Sequence, residues 1–135
     1  MQASWTVSQG TRVGKPIFVR CNVSAKSLAK HSDYRFRVGV AVPLKAPNED
    51  GLPTNDEMEQ LNTLEDQLCD SLEQQQESLQ VLSITTQGMR EFVFYTRNPE
   101  LARNTIEELR ATTKSHEIQG YVAEDKKWSV YAEFA

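Results

Sequence analysis

No apolar run in this 135-residue chain is long enough to span a bilayer. The first residues, Met-Gln-Ala-Ser-Trp-Thr-Val, have neither a basic nor an apolar segment of the kind that directs secretion. The expected compartment is the cytoplasm, with no membrane association. Cysteine is scarce: Cys21 and Cys69 lie 48 positions apart, and neither belongs to a Cys-x-x-Cys pair. A disulfide framework is therefore not expected, and both cysteines read as small hydrophobes. Only two histidines occur, His31 and His116, with no further ligands at metal-site spacing. Both read as surface residues, and no metal or cofactor is expected. The phosphate-cradling glycine loop, the Gly-x-Ser-x-Gly elbow and the zinc-protease motif are all missing. So is the aromatic signature of ferredoxin-like RNA binders. With an acidic net charge of −4, nucleic acid is not an expected partner.

Basic residues are absent from one long stretch. Residues 48–77 hold ten Asp or Glu and no Lys or Arg, whereas residues 1–47 hold eight Lys or Arg and one acid, Asp33. Two readings follow: the blocks neutralise each other within the fold, or they form two surfaces of opposite sign.

The length suits one domain with its own core. Residues 4–9 and 16–23 read as two strands joined across Gly10–Gly14, a hairpin that either extends a sheet or covers it. Residues 24–33 read as a loop or short helical turn. Residues 34–44 alternate Tyr34, Phe36, Val38, Val40 and Val42 against Arg35, Arg37, Gly39 and Ala41, the period of a strand. A helix over 54–75 begins at Thr54, which forms a capping box with Glu57. Met58, Leu61, Leu64, Leu68 and Leu72 form its apolar stripe, with Asp66, Asp70 and Glu73 off it. Residues 79–86 and 89–96 form a hairpin about Gln87-Gly88. Asn98-Pro99 caps a second helix to about 112, and residues 116–123 give a last strand. The central order β-α-β-β-α-β is that of a ferredoxin-like α+β fold with an antiparallel sheet.

The last residues, 124–135, carry Trp128, Tyr131 and Phe134 behind an acidic pair. Large aromatics at a terminus imply a docked tail. Asp125 either caps a last helical turn, placing Trp128 and Tyr131 on one side, or the tail is a strand. The expected organisation is a single domain over 1–135: hairpin and loop 1–33, ferredoxin-like core 34–123, tail 124–135.

Several pieces share the order and spacing of a known bacterial family: Gly51-Leu-Pro53, Glu65-Asp66, Arg90-Glu-Phe-Val-Phe-Tyr95, and Glu124-Asp125-x-x-Trp128-x-x-Tyr131. From about residue 34 onward the chain resembles DUF695, although members often carry Pro where Lys126 stands. The resemblance implies a ferredoxin-like domain with no established activity, related in fold to regulator B of ribonuclease E, which acts by binding the nuclease.

The carboxylates on the first helix read as an exposed face that meets a basic protein. The expected function is thus a non-catalytic protein-binding or regulatory module, a monomer or weak homodimer, with Asp66, Asp70 and Glu73 as the docking residues. Asp125, Trp128 and Tyr131 form a second candidate patch. The alternative is a hydrolase or small-ligand binder with a pocket between hairpin and sheet.

Overall fold

The computed structural model describes residues 4–29 and 33–135, so His31 lies outside the described residues. The chain is an α+β protein. In order it forms β1 (Trp5–Arg12), β2 (Lys15–Asn22), a 3₁₀ turn (Val23–Ser27) and β3 (Phe36–Pro43). It continues through α1 (Asn55–Leu72), a second 3₁₀ turn (Gln74–Gln76), β4 (Ser78–Thr86) and β5 (Met89–Thr96). The last elements are α2 (Pro99–Thr112), β6 (Gln119–Glu124) and α3 (Ser129–Phe134). The strands make one sheet in the order β1-β2-β4-β5-β3-β6. Every neighbouring pair is antiparallel. The N-terminal hairpin therefore extends the sheet, with β2 paired to β4.

Both hairpin turns take two residues with positive φ: Val13 (53°) with Gly14 (75°), and Gln87 (52°) with Gly88 (78°). That twist matches the twist of the flanking strands. β1 consequently runs through Gly10 to Arg12, further than the alternation alone suggests. A β-branched residue is poorly suited to the left-handed region, and Val13 gains nothing by burial, being 88% exposed. Val13→Asn should raise stability by up to about 1 kcal/mol. A urea midpoint equal to or below wild type would contradict this.

The sheet carries a core on each face. On one side Leu61, Leu64, Leu68 and Leu72 of α1 pack with α2 over Val38, Val40, Phe92 and Phe94. On the other, Trp128 and Tyr131 pack over Val19, Leu82, Val93 and Tyr95. A register shift between Gln80 and Leu82 resets the alternation of β4. Val81 and Leu82 thus both join the second core. Gln80 faces Glu65 of α1, and Ser83 and Thr85 line a cleft on that same side.

Thr54 Oγ1 accepts from Glu57 N at 3.3 Å, and Asp56 and Glu57 sit at the positive end of the helix. The reciprocal half of the capping box does not form, because Glu57 turns inward to other partners. Met58 also leaves the stripe, being 39% exposed. α1 ends at Leu72, short of the expected 75. Gln75 and Gln76 take positive φ (53° and 59°) to reverse the chain. Tyr34 Oη and Arg97 Nη2 donate to the carbonyls of Gln76 and Gln75 and hold this reversal. Asn98 Oδ1 accepts from Leu101 N at 3.1 Å at the start of α2.

Candidate functional site

Asp66, Asp70 and Glu73 recur at four and three residues along α1, which brings them to one side of the helix. Asp66 and Asp70 are exposed, and neither makes an ion pair among the described residues. Glu73 is half-buried: its Oε2 accepts from Gln80 N at 3.1 Å and pins the α1–β4 reversal. Asp66 and Asp70 thus face solvent, while Glu73 is engaged within the fold.

Asp125, Trp128 and Tyr131 are brought together on the opposite face. The chain beyond β6 turns into a helix. Asp125 Oδ1 accepts from Ser129 N (2.9 Å) and Ser129 Oγ (3.0 Å) at its start. Asp125 Oδ2 accepts from Tyr95 Oη and Arg37 Nη1, both at 2.8 Å. Burial acts to raise the Asp125 pKa, but these donors outweigh it and hold the carboxyl below its ordinary value. Tyr95 is shifted the other way, raised by burial and by the Asp125 carboxylate.

Trp128 has left-handed backbone (φ 53°, ψ 48°). For a bulky residue that costs about 1–3 kcal/mol and persists only where surroundings compel it. Here its ring stacks on Tyr95 at 4.2 Å and 7°, and Nε1 donates to Tyr34 O at 2.7 Å. Tyr131 meets the Trp128 ring edge-on at 5.5 Å and donates to Asn22 O at 2.7 Å. Burial pushes the Tyr131 hydroxyl up to about 12. With Trp128 and Tyr131 at 1% and 2% exposure, this constellation is a clasp between the tail, β5 and the end of β2.

Two further polar groups lie under α1, where sequence reasoning placed only the apolar stripe. His116 is buried, not at the surface, with Nε2 2.6 Å from Glu57 Oε2. Glu57 also accepts from the amides of Lys45 (2.6 Å) and Ala46 (3.3 Å). Desolvation works against the charge on Glu57, but the Lys45 amide, His116 and the Ala46 amide prevail, and its pKa is lowered. An ionised Glu57 only accepts, so the ring proton sits on Nε2. Glu65 receives Arg20 Nη1 on both oxygens at 3.1 Å, and Gln80 Nε2 at 2.6 Å. Gln80 Oε1 in turn accepts from the Cys69 thiol at 3.1 Å. Burial and the nearby carboxylates raise the Cys69 pKa, and burial raises that of Cys21, so neither thiol is poised as a thiolate.

Beside this network a cleft of about 330 Å³ opens on the α1 side of the sheet, between strands β1, β2, β4 and β5 and the 48–53 loop with the start of α1. Because the hairpin extends the sheet, no pocket lies between hairpin and sheet among the described residues, as the sequence suggested. Val7, Phe18, Leu52 and Met58 give it apolar walls; Arg20, Arg90, Ser83 and Thr85 give it polar groups. Arg20 is already occupied by Glu65, and its guanidinium lies 4.9 Å above the Trp5 ring. Arg90 Nε donates to Thr85 Oγ1 at 2.8 Å. No carboxylate lies within ion-pair distance of Arg90 among the described residues. Burial lowers its pKa.

Among the described residues no group of three or more His, Cys, Asp or Glu is placed to hold a metal ion, and no helix is long and apolar enough to cross a membrane.

The chain matches the model of DUF695, a family of unknown function, over residues 3–135. No curated protein and no solved structure matches it. The chain belongs to the DUF695 family.

Proposed function

We propose that this DUF695 member is a non-catalytic, cytoplasmic protein-binding or regulatory module, a monomer or weak homodimer, that receives a basic partner on the outer side of α1. One observation carries the reading. Of the ten acids in residues 48–77, Glu65 and Glu77 are ion-paired within the chain, and Glu57 is buried and hydrogen-bonded to the His116 ring. Glu49, Asp50, Asp56, Glu59, Asp66 and Asp70 are exposed and have no ion pair among the described residues. Among the described residues the basic N-terminal block meets the acidic one through Arg20 on Glu65. Unbalanced like charge on one helix steers an oppositely charged partner and makes its association salt-sensitive. The scaffold reads as ferredoxin-like. Its support is the order β4-β5-β3-β6 of the central strands and the packing of α1 and α2 on a common core.

The test is charge reversal of Asp66, Asp70 and Glu73 to Lys. Partners captured by the tagged wild-type protein at low salt should be lost by the variant, with an unchanged circular-dichroism spectrum. The Asp66→Lys, Asp70→Lys double variant leaves the Glu73–Gln80 bond in place and should show most of the loss. Undiminished capture by both variants would reduce the acidic face to solvated surface.

A second reading, a small-ligand binder, is favoured by the cleft beside Arg90. Among the described residues no His or Cys lines that cleft. Binding therefore fits it better than the hydrolysis that a Cys–His or Ser–His pair would support.

A further inference from the structure

We infer that the cleft between the sheet and the 48–53 loop at the start of α1 binds a small amphipathic monocarboxylate, its carboxylate on Arg90 and its apolar body against Val7, Phe18, Leu52 and Met58. This deepens the small-ligand reading by naming the ligand class, and it does not depend on the acidic face of α1.

The charge is matched first. Two guanidinium groups line the cleft, but Glu65 neutralises Arg20 through two contacts of 3.1 Å to a single nitrogen. Arg90 has no carboxylate within ion-pair distance among the described residues, although Glu65 and Glu57 act on its charge from further away, and its guanidinium's one hydrogen bond among those residues goes to the neutral Thr85 hydroxyl. A half-buried guanidinium with unused donors is matched by a planar carboxylate, which two parallel N–H groups hold in register. Ser83 and Thr85 place their hydroxyls on the same wall. One guanidinium with no carboxylate in contact favours a monoanion over a doubly charged phosphate monoester, whose second charge would enter the apolar walls unpaired.

The apolar part is matched next. Val7 is 71% exposed and Met58 39% exposed, two of five large hydrophobics left exposed in the described chain, and both line this cleft. The volume of about 330 Å³ is at the small-molecule end of ligand sites.

The rim is preorganised. Asn48 Oδ1 accepts from the amides of Asp50 (2.9 Å) and Leu52 (3.0 Å), folding the 48–52 loop on itself. Gly88 N donates to Gly51 O at 2.9 Å, fixing that loop to the β4–β5 turn. Gly51 is required there: its φ is +80°, and a Cβ would lie 2.9 Å from Gly88 N. Leu52 is thereby held at the cleft before any ligand arrives, which removes part of the ordering cost of binding.

The experiment is calorimetric titration of the full chain with octanoate, octanol and octyl phosphate, with amide-resolved NMR mapping of the octanoate complex. Octanoate should bind one-to-one with a dissociation constant of about 1 mM or tighter, a modest demand for about ten heavy atoms. Octanol and octyl phosphate should each bind about tenfold more weakly, and Arg90→Met should remove the preference for octanoate over octanol. The shifted amides should cluster at Val7, Leu52, Ser83 and Thr85. Should Arg90→Met fail to fold, Val7→Glu places an anion at the exposed mouth and should weaken octanoate about tenfold. Absence of saturable octanoate binding overturns the proposal. So does equal affinity for octanol, tighter binding of octyl phosphate, or shifts confined to other faces. None of these outcomes bears on the α1 charge reversal.

Discussion

Replacing Asp125 by alanine should destabilise the protein by about 3–5 kcal/mol, the range for breaking a buried ion pair by removing one partner. Asp125 is 8% exposed, and Arg37, Tyr95 and Ser129 all converge on it. Its loss leaves the Tyr95 hydroxyl without its acceptor and the Arg37 guanidinium with only its bond to the Tyr121 hydroxyl among the described residues, at a site closed by Trp128. It also removes the bonds that start α3, so the strained backbone at Trp128 loses its anchor. Asp125→Asn keeps the size and one acceptor oxygen and should cost less. The pH dependence has a definite sign. Because the folded-state pKa is depressed, this contribution is fully present above the unfolded-state value of about 3.9 and is lost as pH falls through the lower folded value. Urea titrations of wild type should therefore show stability falling steeply below pH about 4, with part of that loss missing in Asp125→Asn. An alanine variant with a wild-type midpoint at neutral pH would mean that the clasp adds nothing.

Much of the architecture is legible in the sequence because it rests on local rules. Alternation in 34–44 and 89–96, the turn at Gln87-Gly88, and the caps Thr54 and Asn98 each act within a few residues, and each lies close to its expected place. What escapes local reading is long-range or depends on the final pairing. The pairing of β2 with β4 links residues 17–21 to 82–86, and no local pattern distinguishes that from a hairpin folded over the sheet. The shift at Gln80/Leu82 changes which face Ser83 and Thr85 present, and so places the polar wall of the Arg90 cleft. The same limit applies to His116, whose partner is 59 positions away. One signal was nevertheless present. Glu57, Leu61, Glu65, Leu68 and Leu72 share the spacing of three and four that defines the buried stripe, so two glutamates lie on the face that turns inward. An acid on a buried stripe demands a partner.

The buried pair beneath the start of α1 leads to the other large effect. Glu57→Ala should cost about 3–5 kcal/mol, since it strands three donors at once. Those donors are the amides of Lys45 and Ala46 and the His116 ring, whose side chain is 0% exposed. Neither amide can turn to another acceptor without moving the segment that leads from β3 toward α1. Glu57→Gln retains an acceptor oxygen but not the negative charge, and its amide group meets donors on more than one side. It should fall between alanine and wild type. The acid limb follows the same sign as for Asp125. The lowered pKa of Glu57 supplies stability above the unfolded-state value of about 4.3, and that stability is lost as pH falls through the folded value. The two carboxylates serve opposite faces of the sheet and share no hydrogen-bond partner among the described residues. Their effects should then add to within about 0.5 kcal/mol in the Asp125→Asn, Glu57→Gln double variant. Denaturation of the two single variants and the double variant at neutral pH measures this. A Glu57→Ala midpoint indistinguishable from wild type would show that water serves those three donors as well as the carboxylate does.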